Sequence, residues 1–485
     1  MPRIDPLSNG ASVDKLFLFF PKKRKTFAFL LPLRHTHVDI KAQTPLEHGS
    51  FSWPFFSVKP FAIGCLLFLG ISCLLMIQQA TCKAPDPLVR DVLQRFRQSL
   101  DLPDPSVCGP VAVAMSGGVD SSVTGAALAF FGYQVVGITL KLYSGTSSHR
   151  PGTCCAGKDI ADAQKVAFGA GFSHYVLNYE QRFHDSVIKP FTQSYAEGKT
   201  PLPCVLCNQT VKFSDLLSHA QTLGCAALVT GHYIQRIQSP KGPRLYRGLD
   251  PAKDQSYFLF ATTREEVDYL RFPLGGLHKK ETRLLADFLG LCVAEKKESQ
   301  DICFVGGGRY DDFIRKTSPE AFVKGPITHI DGRHLGTHQG IAHYTIGQRR
   351  GLNLNENEPL FVVNIHPQTH EVRVGPKEAL FCHALSLEKV NWLLDPCEQT
   401  SRTLSVKVRS SGACHEARAL FDAKTHTALV SLREPEAGVA PGQACVFYDD
   451  DLLLGGGWIH TTHQHPIKKQ EPFLCSAQPV YGHAS

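Results

Sequence analysis

The sequence predicts an α/β protein, with a parallel sheet covered by helices on both faces. A small central domain and a C-terminal antiparallel β-barrel are expected to follow it. Three observations predict this. Between residues 108 and 304, short apolar runs alternate with segments of helical spacing, the pattern of strands joined by crossover helices. After Cys303 the texture changes to β-rich sequence with many turn residues. From about Leu385 onward, the alternations Leu404, Val406, Val408 and Ala444, Val446, Tyr448 suit a small barrel or sandwich.

The elements follow in order. Leu88, Val92, Leu93, Phe96 and Leu100 predict a short amphipathic helix over 87–100, and Asp101-Leu102-Pro103-Asp104-Pro105 a linker. Val111 to Met115 is a first strand; Val123, Ala126, Ala127 and Phe130 then mark one helical face that stops at Gly132. Val135–Leu140 is a buried strand, Ile160, Ala163, Val166 and Ala167 a helix, and Tyr175–Leu177 another strand. Val211 to Leu223 is helical, and Ala226 to Thr230 is a strand running into Gly231-His232-Tyr233. Gly306-Gly307-Gly308 is hinge-like. Ligands of parallel sheets lie beyond the strands' carboxyl ends, where Ser116 and Gly231 both fall. The expected boundaries are an extension at 1–107, the sheet domain at 108–304, the central domain at 305–382, the barrel at 383–460 and a tail at 461–485.

Charge is unevenly placed. Of the formal +7, residues 1–60 carry a surplus of five and residues 61–107 none, which leaves about +2 for the rest. Nucleic-acid contact must therefore come from local patches of the body. Phe61 to Ile77 is uncharged and apolar, just short of a membrane span, and follows the basic run Pro21-Lys22-Lys23-Arg24-Lys25. The reading adopted is an over-long start, Met76 being the only internal methionine upstream of the strand that begins at Val111. A membrane anchor or targeting segment is the alternative. The 16 cysteines are scattered, include the pair Cys154–Cys155, and fit a reducing, cytoplasmic compartment better than a secreted framework.

The stretch Ala114-Met115-Ser116-Gly117-Gly118-Val119-Asp120-Ser121 carries the strongest signal. A strand that breaks into Ser, two glycines and an Asp before a helix lets main-chain amides cradle phosphate, with the helix N-terminus adding partial positive charge. It lacks the Gly-Lys-Ser/Thr ending of a γ-phosphate-transferring loop. It resembles instead the PP-loop of ATP pyrophosphatases, a Rossmann-like domain that splits ATP into AMP and pyrophosphate. The bland alternative is a Gly-rich turn that binds nothing.

Two cysteine motifs stand out. In Thr200-Pro201-Leu202-Pro203-Cys204-Val205-Leu206-Cys207-Asn208, two prolines lead into a helical region whose N-terminus would lower a thiol's pKa. A buried or zinc-binding pair is the alternative, although no second CxxC exists. Ser299-Gln300-Asp301-Ile302-Cys303-Phe304 holds a lone cysteine that, taken alone, reads as core.

Those motifs, together with Lys212-Phe213, Thr230–Tyr233, Lys253–Phe258, Tyr344–Arg349 and Pro441-Gly442-Gln443, occur in one order. The chain from about Val111 to Trp458 resembles the tRNA-specific 2-thiouridylases, the MnmA family. The resemblance implies the wobble uridine of tRNA as substrate, ATP with Mg2+, and sulfur from a protein persulfide that replaces AMP on the base. Cys303 matches the persulfide carrier and Cys207 the nucleophile, which releases the sulfur by thiol–disulfide exchange. The uridine must be extruded to react. Ala114 to Ser121, Leu140 and Gly231 match ATP contacts. Leu202-Pro203-Cys204, His232, Lys253-Asp254-Gln255, Arg409-Ser410 and Gln443 match positions that touch tRNA or its target base. A sulfur-donor protein, a monomer and no membrane contact are further implications.

One departure matters. Many members have Asn-Pro-Asp where this chain has Leu202-Pro203-Cys204, and a thiol cannot do that carboxylate's acid–base work at its ordinary pKa. It opens an alternative in which Cys204, Cys207 and Cys303 hold an iron–sulfur cluster with one open iron. Two further readings stay open: another PP-loop adenylating enzyme, such as an amide- or arginine-forming synthetase, and a membrane-anchored, non-catalytic RNA-binding protein. The first lacks the paired cysteines; the second predicts no tRNA-dependent pyrophosphate release.

Overall fold

The computed structural model describes residues 85–143, 157–298, 302–305, 310–394 and 403–465. All lie in one of the two units into which the chain divides, Lys83–Ser485. Phe61–Ile77 with Met76, the pair Cys154–Cys155, Ser299–Asp301, the Gly306–Gly308 triplet, Cys397 and the tail from 466 are outside the described residues.

Helix α1 (Pro87–Ser99) is capped by the Asp86 carboxylate, which accepts from Leu88 N at 2.7 Å, and Pro87 pre-sets its first turn. The parallel sheet comprises β1 (Val111–Ala114), β2 (Val135–Lys141), β3 (Ser173–Asn178) and β4 (Ala227–Val229). After a hairpin of β5 (Ile234–Ser239) and β6 (Gly242–Arg247) comes its last strand, β7 (Leu270–Arg271). The order is β3-β2-β1-β4-β7, with every pair parallel.

The pleat of β1 divides the core in two. Val111 and Val113 face α1, α2 (Val119–Phe130), α3 (Gly157–Ala170) and, farther along the chain, the helix Lys279–Phe288. Ala112 faces α4 and α5. Helix α4 runs Glu180–Phe183, widens to a π turn over His184–Ile188 and closes with Lys189–Ala196. Helix α5 runs Pro203–Leu206, continues as a π stretch over Cys207–Asp215 and ends with Leu216–Thr222. Next come α6 (Arg264–Tyr269), α7 (Lys279–Phe288) and α8 (Tyr310–Thr317).

The central sheet, of β8 (Gly325–His329), β9 (His334–His338), β10 (Phe361–His366) and β11 (Glu371–Gly375), has the order β10-β11-β8-β9. Six strands then close a barrel: β12 (Phe381–Trp392), β13 (Leu404–Lys407), β14 (His415–Asp422), β15 (Thr427–Ala437), β16 (Ala444–Asp449) and β17 (Leu452–His463). The order β12-β15-β14-β13-β16-β17 returns to β12 through a β12–β17 pairing, so no free edge remains within the ring.

The α/β domain and barrel were both expected, and three details differ. Helix α5 begins at Pro203 rather than near Val211, so Cys204 and Cys207 are helical rather than leading into the helix. Proline at the first position, with its φ already helical, starts the helix earlier than the apolar spacing implied. Second, the β5–β6 hairpin joins the barrel sheet through Tyr246 opposite Leu452, a long-range pairing without a local signal. Third, β17 extends to His463, past the expected barrel end. Among the described residues, no helix is long and apolar enough to cross a membrane.

Candidate active site

The turn between β1 and α2 is held from within. Met115 N donates to Ile138 O at 2.8 Å, while Ser121 Oγ accepts from Ser116 N at 3.1 Å and lies 3.1 Å from Ser116 Oγ. Gly117 has φ 72°, and a Cβ there would strike the Asp159 carbonyl, so only glycine fits. Gly118 begins α2 with no side-chain cap, which leaves first-turn amides available to an anion.

A cavity of about 210 Å³ opens beside this turn. Ala114, Met115, Ser116, Asp120, Ser121, Leu140, Gly231, His232 and Gln255 line it, all singled out from the sequence. Gly117, Gly118 and Val119 shape the turn rather than the wall. Ile138, Leu142, Lys212, Leu216 and Thr230 complete the lining and were not foreseen as site residues. Lys212 and Leu216 belong to α5, the helix that carries the CxxC pair.

Asp120 does not stand alone. Lys279 Nζ reaches both its oxygens at 2.7 and 2.9 Å, and Tyr233 OH donates to it at 2.9 Å. Burial, with Asp120 beside it, raises the Tyr233 phenol far above its ordinary value, so it remains a donor. The Lys279 ammonium also lies 3.0 Å from Glu298, which Lys253 meets at 2.6 Å. Burial works against the Glu298 charge, but hydrogen bonds from Lys253 and Lys279 prevail and lower its pKa. Lys296 Nζ donates to Gly117 O at 2.9 Å, Asp159 at 2.6 Å and Asp162 at 2.7 Å, which uses all three of its donors. Burial opposes its charge, and the two aspartates overcome that and raise its pKa. Lys279 and Lys296 escaped the sequence reading because Asp120, Asp159 and Asp162 lie more than a hundred residues before them. Their one signal was that Lys296 and Glu298 lie just ahead of the Cys303 motif.

Both candidate thiols border one apolar cluster. Cys207 is buried within the apolar cluster on the α4–α5 face of the sheet, and Cys303, 96 residues later, is half-buried against the same cluster. Phe304 beside it meets Phe183 and Phe191 of α4 edge-on, with centroids 5.7 and 5.1 Å apart. Cys204 is exposed, one turn before the buried Cys207. Among the described residues no three His, Cys, Asp or Glu side chains converge as metal ligands.

The residues expected to touch RNA are placed variously. His232 is half-buried, with Nδ1 2.8 Å from Thr230 Oγ1. Burial, with Lys212 nearby, pushes its pKa down to about 3, so the imidazole is neutral. Asp254 accepts from Gly248 N, Ser256 N and Ser256 Oγ, and Gln255 Oε1 accepts from Tyr233 N at 2.9 Å. Gln255 lines the cavity, while Asp254 orders the turn that carries it. Arg409 pairs with Glu436, and Ser410 follows it in the turn after β13. Gln443 donates through Nε2 to Thr200 O at 3.1 Å, just before Leu202 and the buried Pro203.

Three family models match in succession. The tRNA methyl transferase HUP domain covers residues 109–307, the tRNA methyl transferase PRC-barrel domain 311–376 and the Aminomethyltransferase beta-barrel domain 382–459. The tRNA-specific 2-thiouridylase MnmA of Methylorubrum extorquens is 55% identical over 369 residues, covering 74% of this chain and 96% of its own length. That of Maricaulis maris is 53% identical over 356 residues, 73% of this chain and 87% of its own. Among solved structures, the U34-tRNA thiolase NcsA from Methanococcus maripaludis, with its [4Fe-4S] cluster, aligns at 18% identity and TM-score 0.30. It covers 48% of this chain and 72% of its own, a likeness too slight to argue from. With three consecutive models and relatives above half identity along nearly their whole length, the chain belongs to the tRNA-specific 2-thiouridylase (MnmA) family.

Proposed function

We propose that this protein replaces the 2-oxygen of a tRNA wobble uridine with sulfur, after activating that oxygen as its adenylate with ATP. One observation carries the reading beyond family membership. The cavity beside the Ser116–Ser121 turn shares a wall, through Lys212 and Leu216, with the helix that bears Cys207, and Cys303 borders the same core. Nucleotide activation and thiol chemistry are thus neighbours.

In this reading the Ala114–Ser121 turn and Gly231 hold ATP, with any Mg2+ arriving with the nucleotide, and Leu140 packs on the adenine. The uridine 2-oxygen attacks the α-phosphorus and pyrophosphate leaves. Lys279 and Tyr233 keep the Asp120 carboxylate from repelling the phosphates. Neutral His232 addresses the extruded base by hydrogen bonding without adding charge. Cys303 bears the transferable sulfur, loaded by a donor protein. That sulfur displaces AMP, and Cys207 attacks its bond to Cys303, leaving a Cys207–Cys303 disulfide for reduction. Leu202, Pro203 and Cys204 border the base, and Lys253, Arg409 and Ser410 face the RNA. The protein is proposed to act as a cytoplasmic monomer.

The test is Cys207→Ser, with AMP release and 2-thiouridine measured by nucleoside mass spectrometry. AMP release should persist while thiolation is lost. Full thiolation by the variant would sink the proposal.

A further inference from the structure

Gln443 is spent on the protein itself. The corner Pro441-Gly442-Gln443 precedes β16 and is anchored to β17: Gly442 N donates to Ile459 O at 2.9 Å and Ile459 N to Gln443 O at 2.8 Å. From this base it grips Thr200. Thr200 N donates to Pro441 O at 2.9 Å, and Gln443 Nε2 donates to Thr200 O at 3.1 Å. Both backbone polar groups of Thr200 are thereby engaged by the barrel.

The fit is close on either side. Gly442 has φ 88°, and a Cβ there would lie 2.9 Å from Thr200 O and 3.0 Å from Lys199 Cβ. Two residues earlier, Gly198 has φ 67°, and a Cβ there would come within 2.9 Å of Ile365 Cγ2 on β10. Residues 198–200 are thus seated between the central sheet and the barrel. Pro201 and Pro203 then pass little slack onward, because proline fixes φ. Three residues beyond Thr200, helix α5 starts, and Cys204 and Cys207 follow within its first two turns.

We infer that Gln443 is a positioning residue: the barrel corner holds Thr200 and so sets where the Leu202–Cys207 stretch stands for the reaction. The inference rests on the proposed sulfur transfer and deepens it. It gives the barrel a role in the chemistry, as the fixed end of a strut to the thiol-bearing helix. A direct contact between Gln443 and RNA would make a different prediction, since its loss would weaken binding and leave the thiol helix in place.

The experiment compares the wild type with Gln443→Ala in three measurements: tRNA affinity, kcat for thiolation, and alkylation rates of individual cysteines by iodoacetamide and mass spectrometry. Cys445, fully buried in the barrel, is the internal control for folding. Losing one hydrogen bond predicts kcat down about tenfold, tRNA Kd within about twofold, and Cys207 alkylation up about fivefold or more. Cys445 should remain protected. A raised tRNA Kd with Cys207 still protected and kcat at saturating tRNA unchanged would overturn the inference. Should Cys445 also open, the isosteric Gln443→Glu, which keeps the volume but loses the donor, is judged by the same criteria. If the wild type forms no 2-thiouridine, the proposed function fails; the alkylation pattern still tests the strut.

Discussion

Replacing Gly231 by alanine places a methyl group where the loop backbone already stands. The added Cβ would lie 2.9 Å from both the carbonyl carbon of Asp120 and the amide nitrogen of Ser121, and 3.1 Å from Asp120 Cβ. Ordinary contact begins near 3.4 Å, so one side must retreat by about 0.5 Å. Neither can do so cheaply. Gly231 follows β4, next to β1 in the sheet, and the opposing atoms are main chain in the first turn of α2. The loop is then displaced relative to the cavity it lines. A misplacement near 1 Å can cost about a hundredfold in a positioned reaction, so about tenfold to a hundredfold is expected in kcat/KM for ATP. The strain should also cost about 1–3 kcal/mol of stability. The assay is tRNA-dependent AMP release against ATP concentration, with Gly109→Ala as the control, since its Cβ would meet Ala226 at an ordinary 3.8 Å. A kcat/KM for ATP within about twofold of wild type in Gly231→Ala would refute the wedge argument.

Lys279→Met strips Asp120 of its cation and Glu298 of one of its lysines, so KM for ATP should rise about tenfold or more in the AMP-release assay, with Lys279→Arg recovering most of it. Equal loss in both variants would argue against an electrostatic role. Phe96 is fully buried in α1, ahead of the residues the family models match, and Phe96→Ala should cost about 3–5 kcal/mol in urea unfolding. A cost under about 1 kcal/mol would mean that α1 is not integral to the domain. His232 has a folded-state pKa near 3, below its ordinary 6.5, so the unfolded chain takes up its proton first as pH falls. Its stability contribution is full above about pH 6.5 and is lost as pH falls toward 3; from pH 7 to 5 the wild type should lose on the order of 2 kcal/mol more than His232→Gln. Equal losses would show that the imidazole is not held neutral.

What could be read from the chain was what local pattern encodes. Alternating apolar runs marked the strands and crossover helices, because burial on a pleat or helix face imposes a period on the sequence. The Ser116–Ser121 turn was legible because glycines beside an amide cradle are a local necessity. Cys207 and Cys303 could be named by motif, though nothing local said that they border one core. That shared core depends on α4 and α5 packing on one face of the sheet, against which residues 96 apart both lie. The lysines of the site show the same division. Lys279 and Lys296 are ordinary surface-type residues by sequence, and only the fold gives them Asp120, Gly117 O and Asp159 as partners. Gln443 was legible as part of a motif but not as a strut to Thr200. Sequence alone determined the elements, the loop and the chemistry-bearing residue types. Tertiary structure decided which of them touch, because hydrogen bonds and ion pairs act over a few ångströms of space whatever their distance along the chain.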